Sequence, residues 1–310
     1  MNDIPLYLLV LVPLIGLVGM IAGGFWGVGC GWLIVPAMLI FGLSPMEAVG
    51  ISLLQMIPST MPTVVKTVNQ ISWGRRSLGR CVVIPMAVGA TLTCFTGKPI
   101  NVWMDQHFGP SALLVLFSTV MAIVGLQILF SRTVEHEGAS REFGVGAAFW
   151  GFLAGLGTGV FSSVLGIGGA VFMRPVLASG FKTSLNETAV SIRVLLLVTT
   201  LMGGLTYLFE GGGLHQRVFW FTLLISLGGI VGFPIGTWMH DIVARNGYTQ
   251  HIHKSFAFIP LIVIISSVLK IAQYQILCRY VMLAFAALLL IYLSAFTYYT
   301  CRHPKEDVQE

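Results

Sequence analysis

Charge is what this chain has least of. Lys, Arg, Asp and Glu make up 9% of its 310 residues and apolar types 56%, where soluble domains carry about 25% charged residues. With a mean hydropathy of +0.88, this excludes an ordinary soluble protein and points to an integral membrane protein. No polar stretch is long enough for a soluble domain, so residues 1–310 read as a single membrane domain. The first apolar run, MNDIPLYLLVLVPLIGLVGMIAGG, has no Lys or Arg before it and no small-residue cleavage site, so it reads as a retained first helix. Cysteine is scarce and unpaired in spacing: Cys30, Cys81, Cys94, Cys278 and Cys301 fit neither a disulfide framework nor a zinc site. No cofactor is expected. The net charge of +5 comes mostly from loops and ends, where basic residues fix orientation in the bilayer, so nucleic acid is not an expected partner.

What the chain does have is apolar length. Runs near 5–28, 44–66, 80–96, 111–130, 142–165, 184–208, 217–238, 255–272 and 277–299 read as helices. Two further pieces, 31–42 and 169–180, are too short to span, since about 12 residues cover roughly 18 Å of a hydrocarbon core of about 30 Å. They read as half-helices. The expected fold is therefore an all-α membrane protein of about eight to eleven membrane elements.

The two short pieces also resemble one another. GVGCGWLIVPAMLIFGLSPMEAV (27–49) aligns with GIGGAVFMRPVLASGFKTSLNETAV (166–190), matching Gly27 with Gly166, Gly29 with Gly168 and Pro36 with Pro175. Ser44 and Glu47, like Ser184 and Glu187, form a Ser-x-x-Glu capping box at a helix start. Gly89 and Gly97 correspond to Gly228 and Gly236 at the same spacing. The chain reads as a duplicated unit, with repeat one over 5–130, repeat two over 142–272, an extra helix at 277–299 and a cytoplasmic tail at 300–310. Arg75, Arg76 and Arg80 put the loop after the second long helix on the cytoplasmic side, and its counterpart after residue 208 falls outside. Equivalent loops on opposite faces predict an inverted repeat, provided the short pieces change the chain's side.

The glycines and arginines carry the expected chemistry. A backbone break in lipid is tolerated only inside protein or along a water-filled cavity. Breaks at Gly27, Gly29, Cys30 and Gly31, and at Gly166, Gly168, Gly169 and Ala170, would each start a half-helix with free N–H groups and a positive dipole end. Close packing through small residues is the competing reading, and it accounts for the Gly228, Gly232, Gly236 ladder. Arg193 lies about 13 Å along its helix from the Ser184 cap, near the bilayer centre, where a charge costs at least about 2.5 kcal/mol and is a functional candidate. Arg174 could face the same cavity or reach for headgroups. Ser52, Gln55, Ser59 and Thr63 on one long helix and Ser191, Thr199 and Thr200 on its match complete the lining. Pro58 and Pro62 should bend the first of these. No Asp, Glu or His lies in the middle of an expected span. His240-Asp241 and His251-x-His253 read as solvated loop residues, and no catalytic constellation is present, so the chain is not read as an enzyme.

Paired Gly-rich turns with short Pro-containing helices, Ala48–Ile51 and Ala189–Ile192 after them, and the Gly-x7-Gly helix in both halves together resemble the sulfite exporter TauE/SafE family over about residues 10–270. That resemblance implies a multipass permease of the bacterial inner membrane exporting sulfite, organosulfonates or related sulfur-containing anions. The sequence departs from the usual pattern where Cys30 and Ala170 replace glycines and where Arg193 takes a position often held by a small polar residue. The expected site comprises the two glycine turns, Ser52, Gln55, Arg174 and Arg193, with Arg193 as the main charge partner. The expected partners are a small anion, the lipid bilayer and a homodimeric copy. An inside-negative potential contributes about 2.3 kcal/mol per charge per 100 mV to anion export. A channel, a permease for another carboxylate or oxyanion, and an intramembrane enzyme or assembly factor stand as alternatives.

Overall fold

The computed structural model describes residues 6–109, 111–130, 142–210 and 213–304. Residue 5 of the first expected helix and residues 305–310 of the expected tail lie outside them. Thirteen helices are described: α1 (Leu6–Trp26), α2 (Gly31–Ile40), α3 (Pro45–Thr67), α4 (Ile84–Cys94), α5 (Gly97–Phe108), α6 (Ala112–Phe130), α7 (Val145–Leu165), α8 (Ala170–Pro175), α9 (Leu185–Leu208), α10 (Gln216–Arg245), α11 (Thr249–Phe256), α12 (Phe258–Ile271) and α13 (Gln275–Arg302). A two-residue hairpin of strands β1 (Phe209–Glu210) and β2 (Gly213–Leu214) joins α9 to α10. Six helical stretches are long and apolar enough to cross a membrane, and the bent pair Gly79–Cys94 with Gly97–Phe108 makes a seventh.

Both short pieces are helical, and both follow glycine-bearing breaks. Gly27 and Gly29 precede α2, and Gly166, Gly168 and Gly169 precede α8, all with φ between +67° and +77°, a region closed to most side chains. Pro175 ends α8, and because it has no N–H to donate the ladder continues as a π-turn over Val176–Gly180. Both capping boxes form, with Ser44 accepting from the Glu47 N–H and Ser184 from the Glu187 N–H. The carbonyl of Leu39, near the end of α2, accepts from Lys270 of α12 as well as from the Gly42 N–H, which places a cation at the negative dipole end of the half-helix.

Three helices differ from expectation. α5 was not anticipated, since GKPINVWMDQHF mixes polar and apolar residues along a short helix. α10 runs to Arg245 rather than ending near 238, so His240 and Asp241 belong to a long helix and not to a loop. The segment TQHIHKSF is also helical, and His251 on it is exposed beside Tyr248 and Phe296.

Three helix pairings organise the core: α1 with α10, α4 with α7, and α3 with α9. In the first, a Cβ on Gly228, Gly232 or Gly236 would strike the carbonyls of Pro13, Leu17 or Ile21, so α1 and α10 run parallel at backbone contact, the expected use of this ladder. In the second, Gly151, Gly155 and Gly159 of α7 meet Val82, Met86 and Ala90 in the same parallel sense. The third runs the other way, with Gly50 against Tyr207 and Leu54 against Gly204. Each pairing therefore joins one element from the first half of the chain to one from the second. α13 is mostly exposed along its length and lies at the periphery.

Candidate functional site

The backbone breaks meet each other. A Cβ on Gly31 would strike the carbonyl of Gly166 and the Cα of Ile167, so the start of α2 abuts the second break. Hydroxyls from the paired helices satisfy the carbonyls left over: Ser52 Oγ donates to Gly166 O at 2.7 Å and Thr199 Oγ1 to Gly168 O at 2.8 Å. Gln55 Nε2 donates to Cys30 Sγ at 2.8 Å and to Ser52 O at 3.1 Å. Most other hydroxyls on these helices bond to the preceding turn, as Ser59 does to Gln55 O and Thr200 to Leu196 O.

A cavity of about 480 Å³ opens beside this junction. Gly24, Trp26 and Gly27 form one wall and Thr67 and Gln70 at the end of α3 another. Opposite lie Arg174 and Ala178, then Asn186, Thr188, Ala189, Ile192 and Arg193 from the start of α9. His240, Asp241, Ala244 and Arg245 close it from α10. Of the residues expected from sequence, the structure brings together Gly27, Arg174 and Arg193 here. Gly29, Cys30, Gly31, Ser52, Gln55, Gly166, Gly168, Gly169 and Ala170 are buried in the junction beneath it. The two breaks therefore do not jointly line one pocket; only the first reaches the cavity, because the second is sealed by Ser52 and by Gly31.

The cavity is strongly cationic. Arg193 is 6% exposed and its Nε has no hydrogen-bond partner, an arrangement that costs free energy unless something else accepts the bond. Arg174 Nη1 donates to Trp26 O at 2.8 Å, so it caps the last turn of α1, where a cation suits the negative dipole end. Arg245 adds a third guanidinium, and Asp241 interacts electrostatically with Arg193 and Arg245. His240 Nδ1 lies 2.6 Å from Phe25 O. Sequence reasoning missed His240, Asp241 and Arg245 because it ended α10 too early. A helix extended two turns further would have placed His240 on the glycine face of α10, four residues beyond Gly236.

A second, smaller cavity of about 180 Å³ lies at the opposite end of α3 and α9, lined by Ser44, Met46, Glu47, Lys98, Tyr207, His215 and Val218. Asn101 and Tyr207 stand between it and the junction. Asn101 Nδ2 donates to Val164 O and to the Tyr207 hydroxyl, which donates to Ser163 O, all at 2.8 to 2.9 Å. Glu47, expected as a cap, also lies 3.6 Å from Arg217. Among the described residues no group of His, Cys, Asp and Glu could hold a metal ion.

Comparison with known proteins fits this architecture. The chain is 28% identical over 258 residues to a probable membrane transporter protein of Xylella fastidiosa (strain 9a5c), covering 81% of this chain and 90% of that protein. It is 24% identical over 248 residues to the glucose uptake protein GlcU of Staphylococcus xylosus, covering 74% and 79%. No solved structure matches. The model for the sulfite exporter TauE/SafE family matches residues 12–267. The chain is thus a multipass membrane transporter, not an enzyme, and belongs to the sulfite exporter TauE/SafE family.

Proposed function

We propose that this protein exports small sulfur-containing anions, sulfite or organosulfonates, through the 480 Å³ cavity, with Arg193 as the principal charge partner. The observation that carries this reading is a nearly buried arginine, its Nε without a hydrogen-bond partner, that lines a cavity holding two further arginines and one aspartate. Low-dielectric walls focus a field of that sign onto an entering anion. A neutral sugar has no comparable use for three guanidiniums.

The cavity mouth lies at the end of α3 that leads into the loop bearing Arg75, Arg76 and Arg80. The positive-inside tendency assigns that face to the cytoplasm, so an exported solute enters there from a bacterial inner membrane's cytoplasmic side. Equivalent helices α3 and α9 run antiparallel, and the pairings α1 with α10 and α4 with α7 exchange elements between halves. Both features support repeats of inverted topology, 5–130 and 142–272, with α13 as an addition.

Counterflow in proteoliposomes tests the reading. Labelled sulfite should exchange against internal sulfite or methanesulfonate and not against glucose. Exchange with glucose alone would replace the anion reading by a sugar one. Current without counterflow would indicate a channel.

A further inference from the structure

We infer that the site takes up a proton together with its anion, and that the proton binds to Nε2 of His240. The inference rests on the anion reading above and deepens it. Only a donor can sit 2.6 Å from a carbonyl, so the bond to Phe25 O fixes the proton of neutral His240 on Nδ1. Nε2 is then the basic atom of a ring that lines the cavity.

The charged groups around this ring set the sign of the coupling. Arg174 from α8 and Arg193 from α9 interact with it electrostatically, and Asp241 and Arg245 flank it on α10. α1, packed along the same face, brings Phe25 and Trp26 and no charged side chain. The end of α3 contributes Thr67 and Gln70 to the cavity, while Lys66 is exposed. On α11 Lys254 and His251 are exposed, and on α13 Arg279 and Arg302 lie against Phe41 and Tyr298. Without an anion, Arg174 and Arg193 oppose a further positive charge on His240. A bound anion offsets them and makes the proton welcome. Linkage is reciprocal, so a proton on His240 tightens anion binding by the same factor. The proton comes from water at the cavity mouth, and the load of a monoanion becomes electrically neutral if both cross. Net flux then follows the combined concentration gradients of the anion and the proton rather than the membrane potential.

The other half of the chain supplies a control. Asn101 and His240 are 139 positions apart, and so are the residues whose carbonyls they bond, Phe25 and Val164. At the equivalent place, then, an amide makes the same bond without a titratable atom. His240→Asn should keep the link to Phe25 and lose the base.

The test is calorimetric binding of methanesulfonate, whose charge is constant across the working pH range, to the purified full chain in nanodiscs, in buffers of different ionisation enthalpy. Wild-type protein should take up close to one proton per anion, with affinity falling by up to tenfold per pH unit once His240 is neutral. His240→Asn should bind with no proton uptake and a flat pH profile, and Asp241→Asn should retain uptake. Anion binding without uptake in the wild type overturns the role of His240 and leaves the anion site standing. Uptake retained in His240→Asn does the same. Absence of methanesulfonate and sulfite binding at every pH overturns the anion reading, and this inference with it.

Discussion

The two ends of the α3/α9 pair share a plan and differ in state. At one end His240 holds the Phe25 carbonyl beside an open cavity of about 480 Å³; at the other Asn101 holds the Val164 carbonyl beside one of about 180 Å³. The difference lies in what stands next to the shared bond. Tyr207, late on α9, fills the Asn101 end and ties it to Ser163, whereas the open end carries Thr67, the last residue of α3, and Gln70 just beyond it. Charge is also distributed unequally, since Arg174 and Arg193 occupy positions matched in the other half by Val35 and by Ser52 or Leu53. The molecule thus concentrates cations at one end of the pair and a closing aromatic at the other.

The sharpest way to break this comparison is to remove the charge. Arg193→Gln should weaken anion binding by about 100-fold, or about 2.7 kcal/mol, within the range seen when one member of a desolvated charged pair is lost. Unchanged affinity, read by calorimetry, would transfer the role elsewhere. Next in size is the closed end. Tyr207→Phe deletes two bonds, to Ser163 O and from Asn101 Nδ2, and leaves the Asn101 amide short of an acceptor, at about 1–3 kcal/mol. It should raise the accessibility of a cysteine placed at Ser52 to an impermeant thiol reagent from the Glu47 face by about tenfold. The smallest effect belongs to the caps. Ser184→Ala should cost about 1 kcal/mol of stability, seen as a lower melting temperature, with anion affinity little altered because Arg193 stays on its helix.

Much of this plan was legible in the sequence. Glycine breaks, half-helices and capping boxes are local features whose chemistry acts within a few residues, so α2, α8 and the starts of α3 and α9 stand where expected. Arg193 was equally visible, since a charge midway along an apolar run has few innocent explanations. The convergence of the breaks was not. Which neighbour a free carbonyl finds depends on helix pairing across the chain, and Ser52 and Gly31 fill the second break from 114 and 135 positions away. His240 was lost for a different reason. Polar residues late in an apolar helix look like its end, although in a membrane protein they can line a water-filled cavity.

The most direct test of the central claim is protection of the cavity wall. A cysteine at Ala189, in a chain whose native cysteines are replaced by serine, should react with an impermeant thiol reagent applied from the Gln70 face. Methanesulfonate should slow that reaction, with half-protection displaced about 100-fold to higher concentration in Arg193→Gln. A reaction rate that saturating anion leaves unchanged, or protection that persists undiminished without Arg193, would contradict the account.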